Sequence, residues 1–217
     1  MFNIGVVNNS KLVTNAQVKL WCSAVQTQVA RDWAPIYGIY AVITFPSGPV
    51  PGATMFPLSI EDVSDTPGAL GYHDIDAKGV PFIKVFAKDT LNAGISVASV
   101  MSHEVLELLG DTYVEDTVLV DNGDGSGALY AAEVCDPVEG DLYKINGVEV
   151  SNFITPWWFM KSPPAGSSFD LLKRLRAPLT MTTGGYFSLN LISRTRGLLG
   201  WQQRNGAKAI HWNGPGK

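Results

Sequence analysis

The segment "VMSHEVLELLGDTY", residues 100–113, carries side chains that bind metal ions and transfer protons. It begins like the zinc-binding motif His-Glu-x-x-His, but Glu107 stands where the second histidine is expected. Residues four apart lie on one face of a helix, so His103 and Glu107 can bind one cation from the same side. Glu104 is rotated by ~100° around the helix axis, which leaves it free to act as a base on a metal-bound water. The spacing predicts His103 and Glu107 as metal ligands and Glu104 as the catalytic base.

The ligand types indicate which cation this segment would bind. Zn²⁺ accepts both the imidazole nitrogen of His103 and a carboxylate oxygen of Glu107. A carboxylate in place of the second histidine adds negative charge, which makes a bound water less acidic and admits harder cations. Zn²⁺ is therefore the expected cofactor, with Mn²⁺ or Ca²⁺ as alternatives. The alternative interpretation of the segment is an amphipathic helix in which Glu104 and Glu107 form a solvated stripe.

A tetrahedral site with one open position needs a third protein ligand. Glu133 and Asp111 are the two candidates. In a continuous helix Asp111 would lie ~12 Å along the axis from His103, so it could serve only if the chain turned back at Gly110. Glu133 begins the acidic segment "EVCDPVEGD", which resembles a ligand loop, with an acidic solvated loop as the alternative. The acidic density slightly favours Glu133 over Asp111.

The first half of the chain must position these residues, and its pattern alternates between strand and helix. Apolar residues near a 3.6-residue period predict one helix after Asn15 and another that carries the His-Glu pair. Short β-branched and aromatic runs between turn residues predict strands. In order, we expect a strand over 2–7, a helix over 16–33 capped by Asn15, three or four strands within 38–87, and a helix over 91–109 ended by a left-handed Gly110.

The second half predicts mainly hairpins. A glycine-rich turn divides 117–134, and Asn146-Gly147 suits a type I′ turn within 141–155. A helical turn in 169–179, a last strand pair within 184–203 and an exposed C-terminal arm complete the chain. The predicted fold class is α+β, with a mixed β-sheet packed on two helices and a β-rich C-terminal subdomain. Residues 1–112 and 113–217 are expected to be subdomains of one compact unit.

Composition limits the classes of function. The chain has 217 residues, 46% of them hydrophobic, and a formal net charge of −4, which gives no basic footprint for nucleic acid. No apolar run approaches the ~20 residues that span a bilayer, and the N-terminus lacks the pattern of a signal peptide. We therefore expect a cytoplasmic or virion-associated protein without a membrane span. Two cysteines, Cys22 and Cys135, predict free buried thiols.

For three other segments, a purely structural interpretation is favoured over a functional one. "DNGDGSG" at 121–127 resembles the start of a calcium loop but lacks the later glutamate, so it predicts a hairpin turn. Alternation in "GYHDID" puts His73 on the face opposite Asp74 and Asp76, and predicts a surface strand, with a role behind the metal ligands as the alternative. The aromatic residues at 157–159 predict core packing, with a docking patch as the alternative.

The chain resembles a family of phage and bacterial proteins described as zincin-like. The resemblance rests on "LGYHD", "PFIKVFA", "SHEVLELLGD", "AEVCDPVEGD", "VSNFITPWWF" and "GGYFSL", and it runs from Leu70 to Leu189. It implies a zincin-like fold, with an edge strand near "PFIKVFA" that pairs with an extended substrate. It also implies His103 and Glu107 as ligands and Glu104 as base. Tyr113 stands where the extended metallopeptidase pattern has its third ligand; tyrosine is a poor zinc ligand but can donate a proton to an oxyanion.

Two principal hypotheses for function follow. The first is a metal-dependent peptidase or amide hydrolase that acts on a peptide or a cell-surface polymer, with the substrate along the strand near Lys84 to Ala87. The second is a virion or tail-associated structural protein that contacts other virion subunits and retains a vestigial site. A third, weaker hypothesis is a binding module stabilised by Ca²⁺ through the acidic segment. The first two are compatible if a virion protein digests a surface polymer.

Overall fold

The computed structural model describes residues 1–206, which form a mixed α/β fold with a multi-stranded mixed sheet and few helices. None of the helices in this range is both long and apolar enough to cross a bilayer. The strands and α-helices, in chain order, are β1 (Phe2–Asn8), α1 (Asn15–Gln28), α2 (Ala34–Tyr37), β2 (Ala41–Thr44), β3 (Thr54–Glu61), β4 (Gly71–Ile75), β5 (Pro81–Phe86), α3 (Ala87–Asn92), α4 (Val97–Gly110), β6 (Thr117–Asp121), β7 (Gly127–Ala131), β8 (Leu142–Ile145), β9 (Val148–Ser151), β10 (Tyr186–Ser193) and β11 (Gly197–Asn205).

The described chain divides into two compact units. The first unit contains Met1–Val114 and Leu142–Ser151, and the second contains Glu115–Asp141 and the described residues from Asn152 onward. The predicted division at 112–113 therefore differs from the structure in one element, because the β8–β9 hairpin belongs to the first unit. The predicted C-terminal arm lies largely outside the described residues.

The first unit is built on a five-stranded sheet with the order β2-β1-β3-β5-β4. The first four of these strands are mutually parallel, and β4 runs antiparallel to β5 at the edge. Parallel strands are usually buried on both faces, which agrees with the apolar character of β1, β3 and β5. The expectation of a substrate-binding edge at Lys84 to Ala87 is wrong, because β5 is paired on one side with β3 and on the other with β4.

Helix α1 begins one residue earlier than predicted and ends sooner. Thr14, not Asn15, is the N-cap: its side chain accepts the Gln17 backbone N–H, and the Gln17 side chain accepts the Thr14 backbone N–H. After Gln28 the chain continues as a π-helical turn, Val29–Trp33, and then as α2. Trp33 is fully buried and stacks on Tyr37, so this irregular turn is held in place by the core.

The predicted helix over 91–109 is two helices. Gly94 adopts a positive φ of 73°, which no helix allows, and it separates α3 from α4. The left-handed cap predicted at Gly110 is also wrong, because Gly110 is the last helical residue and Asp111 forms the C-cap with a φ of −135°. Asp111 donates its backbone N–H to the Glu107 carbonyl at 2.6 Å, so the helix extends to Gly110 before the chain departs.

The β8–β9 hairpin joins the first unit through apolar and polar contacts. Its turn has positive φ at both Asn146 and Gly147, which confirms the predicted type I′ geometry. Ile145 and Val150 pack against Ala24 of α1. The Ser151 backbone N–H donates to Ser102 Oγ of α4 at 2.6 Å, and Gln28 Nε2 of α1 donates to the Ser151 carbonyl at 2.8 Å. The hairpin therefore covers and fixes α1 and α4.

The second unit contains an antiparallel sheet with the order β11-β10-β7-β6, which confirms the predicted hairpin and last strand pair. Asp121 and Asp124 accept backbone N–H groups within the β6–β7 turn, as expected of a hairpin turn rather than a calcium loop. Trp158 and Phe159 pack into the core of this unit, whereas Trp157 is exposed. The helical turn predicted in 169–179 is absent from the described chain; Asp170 instead organises a non-helical turn by accepting backbone N–H groups.

Candidate metal centre

The acidic side chains of helix α4 are buried, although the sequence pattern also allowed a solvent-exposed position for them. Glu104 is 1% exposed, Glu107 is 2% exposed and His103 is 9% exposed. The interpretation of these glutamates as a solvated stripe is therefore wrong. α4 contacts β4 and β5 on one side and β9 on another, so nearly every residue of the helix is covered. Burial of two carboxylates in one helix needs a compensating partner, because an unpaired buried charge is strongly unfavourable.

His103 and Glu107 lie on one face of α4, as the four-residue spacing predicts. Nε2 of His103 is 3.2 Å from Oε1 of Glu107. The imidazole nitrogen and the carboxylate oxygen therefore converge within one helical turn, at a separation that suits two ligands of one cation. Their assignment as metal ligands stays a prediction, and this geometry supports it.

His73 of β4 faces the same two glutamates. Its Nδ1 lies 3.6 Å from Oε2 of Glu104 and 3.9 Å from Oε2 of Glu107. The expectation that His73 lies on a surface strand is wrong, because the residue is 8% exposed. β4 is the edge strand of the sheet, but α4 covers the face that His73 occupies. The sequence signal that could have indicated this burial is the alternation of side chains along the strand, which places His73 on the face opposite Asp74.

The donor set of the first unit fits a divalent cation. One ligand atom each from His73, Glu104 and Glu107 lie within 4.8 Å of one another, and all three residues are buried. Oε2 of Glu104 is buried and forms no hydrogen bond with any described residue. Imidazole nitrogen and carboxylate oxygen together suit Zn²⁺ and Mn²⁺, whereas Ca²⁺ prefers oxygen ligands alone. The buried His and Glu groups could therefore hold a metal ion, whose identity the geometry leaves open.

The other predicted site residues lie outside the group formed by His73, Glu104 and Glu107. Asp111 is fully buried at the end of α4, and one of its carboxylate oxygens lies within 4.8 Å of a His73 nitrogen. Tyr113 follows α4 and is 56% exposed. Glu133 follows β7 in the second unit and is partly buried. The roles of Asp111 and Glu133 as third ligand, and of Tyr113 as a proton donor, stay predictions.

Both cysteines of the chain lie in the interior. Neither Cys22 nor Cys135 forms a disulfide bond and both are buried, as the sequence predicts. Burial raises the pKa of the Cys22 thiol to about 12, so this residue stays protonated at neutral pH.

Gly71 lets β4 approach α4 closely enough for the site to form. A Cβ at Gly71 would lie 2.7 Å from Val100 Cγ1, 3.0 Å from the Lys84 carbonyl oxygen and 3.1 Å from Glu104 Cγ.

We expect Gly71→Ala to destabilise the chain by about 1–3 kcal/mol and to weaken metal binding, because the added methyl group displaces Glu104. Urea unfolding and metal titration measure the two effects. Gly48→Ala is the control, since its Cβ would meet only the Pro46 carbonyl oxygen at 3.9 Å; equal midpoints for the two variants would contradict the close approach.

Comparison with known proteins adds no assignment to this geometry. Neither a protein-family model, nor a curated protein, nor a solved structure matches the chain. The function is therefore argued from the buried group of histidines and glutamates itself.

Proposed function

We propose that this protein is a metal-dependent hydrolase of the zincin type that cleaves peptide or other amide bonds. The observation that carries the proposal is the geometry of α4, where Nε2 of His103 and Oε1 of Glu107 lie 3.2 Å apart with Glu104 beside them. An antiparallel edge strand, β4, lies against the same helix. The resemblance to zincin-like proteins implies the same residues of α4 and an edge strand beside them, although it places that edge at β5 rather than at β4.

Each residue on α4 has a distinct task in the proposed reaction. His103 and Glu107 hold the cation, which when bound supplies Lewis acidity to a carbonyl group and lowers the pKa of a water molecule. Glu104 accepts a proton from the attacking water and delivers it to the leaving amine, which is general base and then general acid catalysis. Tyr113 is exposed at the end of α4, where its hydroxyl can donate to a developing oxyanion.

The substrate is proposed to lie along β4 rather than β5. β4 is the strand at the end of the five-stranded order, so its outer backbone groups are not used by another strand of that sheet. An extended peptide can add to such an edge by main-chain hydrogen bonds. A peptide segment in this position runs beside the strand that carries His73, which brings its carbonyl groups toward α4.

Metal removal tests the proposal. We expect the purified full-length protein to contain a stoichiometric divalent ion and to hydrolyse unstructured fluorogenic peptides. Treatment with a chelator should abolish turnover, and separate additions of Zn²⁺, Mn²⁺ and Ca²⁺ should identify the ion that restores it. A wild-type protein that neither contains nor takes up any of these ions would refute the proposal.

A second candidate function is a structural protein of a virion or tail that retains the site in an inactive form. Two observations favour it. Glu104 and Glu107 are almost completely buried, which restricts access of water and substrate. All residues of β11 are exposed, among them Leu198 and Trp201 at 58% and 43%, and such an apolar edge strand suits assembly with another chain. Metal uptake without turnover, together with a fixed copy number in a purified particle, supports this candidate over the hydrolase.

A further inference from the structure

We propose that His73 of β4 is a direct ligand of the cation, so that the third protein ligand comes from the edge strand rather than from Glu133 or Asp111. The inference rests on the metal-binding part of the proposed function. It adds a residue that the spacing on α4 does not reveal, since His73 lies 30 residues before His103 in the chain.

The first argument is distance. Ligand atoms bound tetrahedrally at ~2.1 Å from one zinc ion lie ~3.4 Å from each other. Nδ1 of His73 is 3.9 Å from Oε2 of the proposed ligand Glu107, which is within a small side-chain adjustment of that value, and it is 3.6 Å from Oε2 of the proposed base Glu104. Glu107 presents Oε1 to His103 and Oε2 to His73, so its carboxylate stands between the two imidazoles.

The second argument separates a metal site from a simple ion pair. A protonated histidine that pairs directly with a carboxylate forms a charge-assisted hydrogen bond of ~2.7–2.9 Å. Both separations from His73 Nδ1 are much longer than this. Glu104 is nine-tenths or more buried and its Oε2 has no hydrogen bond to any described residue, although it points at His73. A cation held by His73 and Glu107 would compensate the charge of this buried oxygen while Glu104 remains the proposed base.

The third argument is that the backbone holds His73 in place. His73 pairs with Ile83 and Gly71 pairs with Val85 in the β4–β5 ladder. The missing side chain of Gly71 lets Val100 and Glu104 of α4 approach the strand. The His73 imidazole is thus carried by a paired strand and directed at a buried helix face, which is the rigid placement that a metal ligand requires.

Metal titration of the full-length chain tests the inference. The wild-type protein, stripped with a chelator, is compared with His73→Gln, His103→Gln, Asp111→Asn and Glu133→Gln by calorimetry with Zn²⁺. We expect His73→Gln to weaken binding by more than ~100-fold, the upper limit for loss of an outer-shell partner, and Glu133→Gln to leave affinity close to wild type. In the Cu²⁺-loaded wild type, pulsed electron paramagnetic resonance should detect two coordinated imidazoles, and His73→Gln should retain one.

The outcomes distinguish this inference from the proposed function. If His73→Gln binds Zn²⁺ like wild type whereas His103→Gln does not, His73 is not a ligand and the proposed function stands. A wild-type protein that binds no ion overturns both. Circular dichroism and urea unfolding of the apo variants show whether each is folded. Should His73→Gln be unfolded, the imidazole count in the wild type decides: two imidazoles support the inference and a single one overturns it.

Discussion

Glu104→Gln is expected to lower peptide hydrolysis by ~10²–10⁴-fold while leaving the metal content unchanged. The amide is nearly isosteric with the carboxylate, so the packing of the side chain against Gly71 and β4 is retained. It cannot accept a proton from water, so the base and acid steps are lost together. Comparing initial rates with elemental analysis of the same preparations separates loss of the base from loss of the cation.

Glu149→Gln is the matched control for this substitution. Glu149 lies on β9 of the same unit, has an exposed side chain and pairs with Lys144 at 3.7 Å. Exposed ion pairs of this kind contribute little to stability, so the rate and the unfolding midpoint should equal those of wild type. Undiminished turnover in Glu104→Gln would exclude the proposed base, whatever the metal content.

Glu107→Gln is expected to abolish metal binding, with a loss of affinity greater than ~100-fold, and to abolish turnover with it. Glu107 faces both imidazoles, with Oε1 lying 3.2 Å from Nε2 of His103 and Oε2 lying 3.9 Å from Nδ1 of His73. Ligand binding to the native state alone stabilises a protein by ~2.7 kcal/mol at a concentration 100 times the dissociation constant. The wild-type protein should gain about this much on loading with Zn²⁺, and the variant should gain nothing.

The stability of the metal-free Glu107→Gln variant distinguishes a metal site from a buried ion pair. If the pocket is built for a cation, its emptied form places two buried carboxylates, Glu104 and Glu107, near each other, and neutralising one removes repulsion. The apo variant should then be as stable as the apo wild type or more stable. If Glu107 is only the partner of a buried ion pair with histidine, the variant should lose about 3–5 kcal/mol and Zn²⁺ should change neither protein. Urea unfolding with and without Zn²⁺ measures whether the substitution raises or lowers the free energy of unfolding.

Local chemistry determined those features that depend on a few neighbouring residues. The Asn146-Gly147 turn follows from residues that tolerate positive φ, and the glycine-rich turn between β6 and β7 follows from the same preference. The convergence of His103 and Glu107 follows from helical periodicity, which places residues four apart on one face. Each of these could be predicted because the interacting groups are close in sequence.

Helix boundaries were less predictable, because several local signals compete and the tertiary contacts decide among them. Gly94 interrupts the segment between α3 and α4, although the apolar pattern runs through it. Gly110 stays helical, although glycine commonly ends a helix in the left-handed conformation. Thr14 and Gln17 cap α1 reciprocally, which outcompetes the neighbouring Asn15.

The sequence by itself determined that an imidazole and two carboxylates stand together on one helix of a mixed α/β protein, because spacing along a helix is a local property. Only the tertiary structure decided that these carboxylates are buried, that β4 rather than β5 forms the edge of the sheet, and that the β8–β9 hairpin covers α4. It also placed His73 beside Glu104 and Glu107. Strand order and helix packing are set by hydrogen bonds and apolar contacts between residues far apart in the chain, and no spacing within a short segment encodes them.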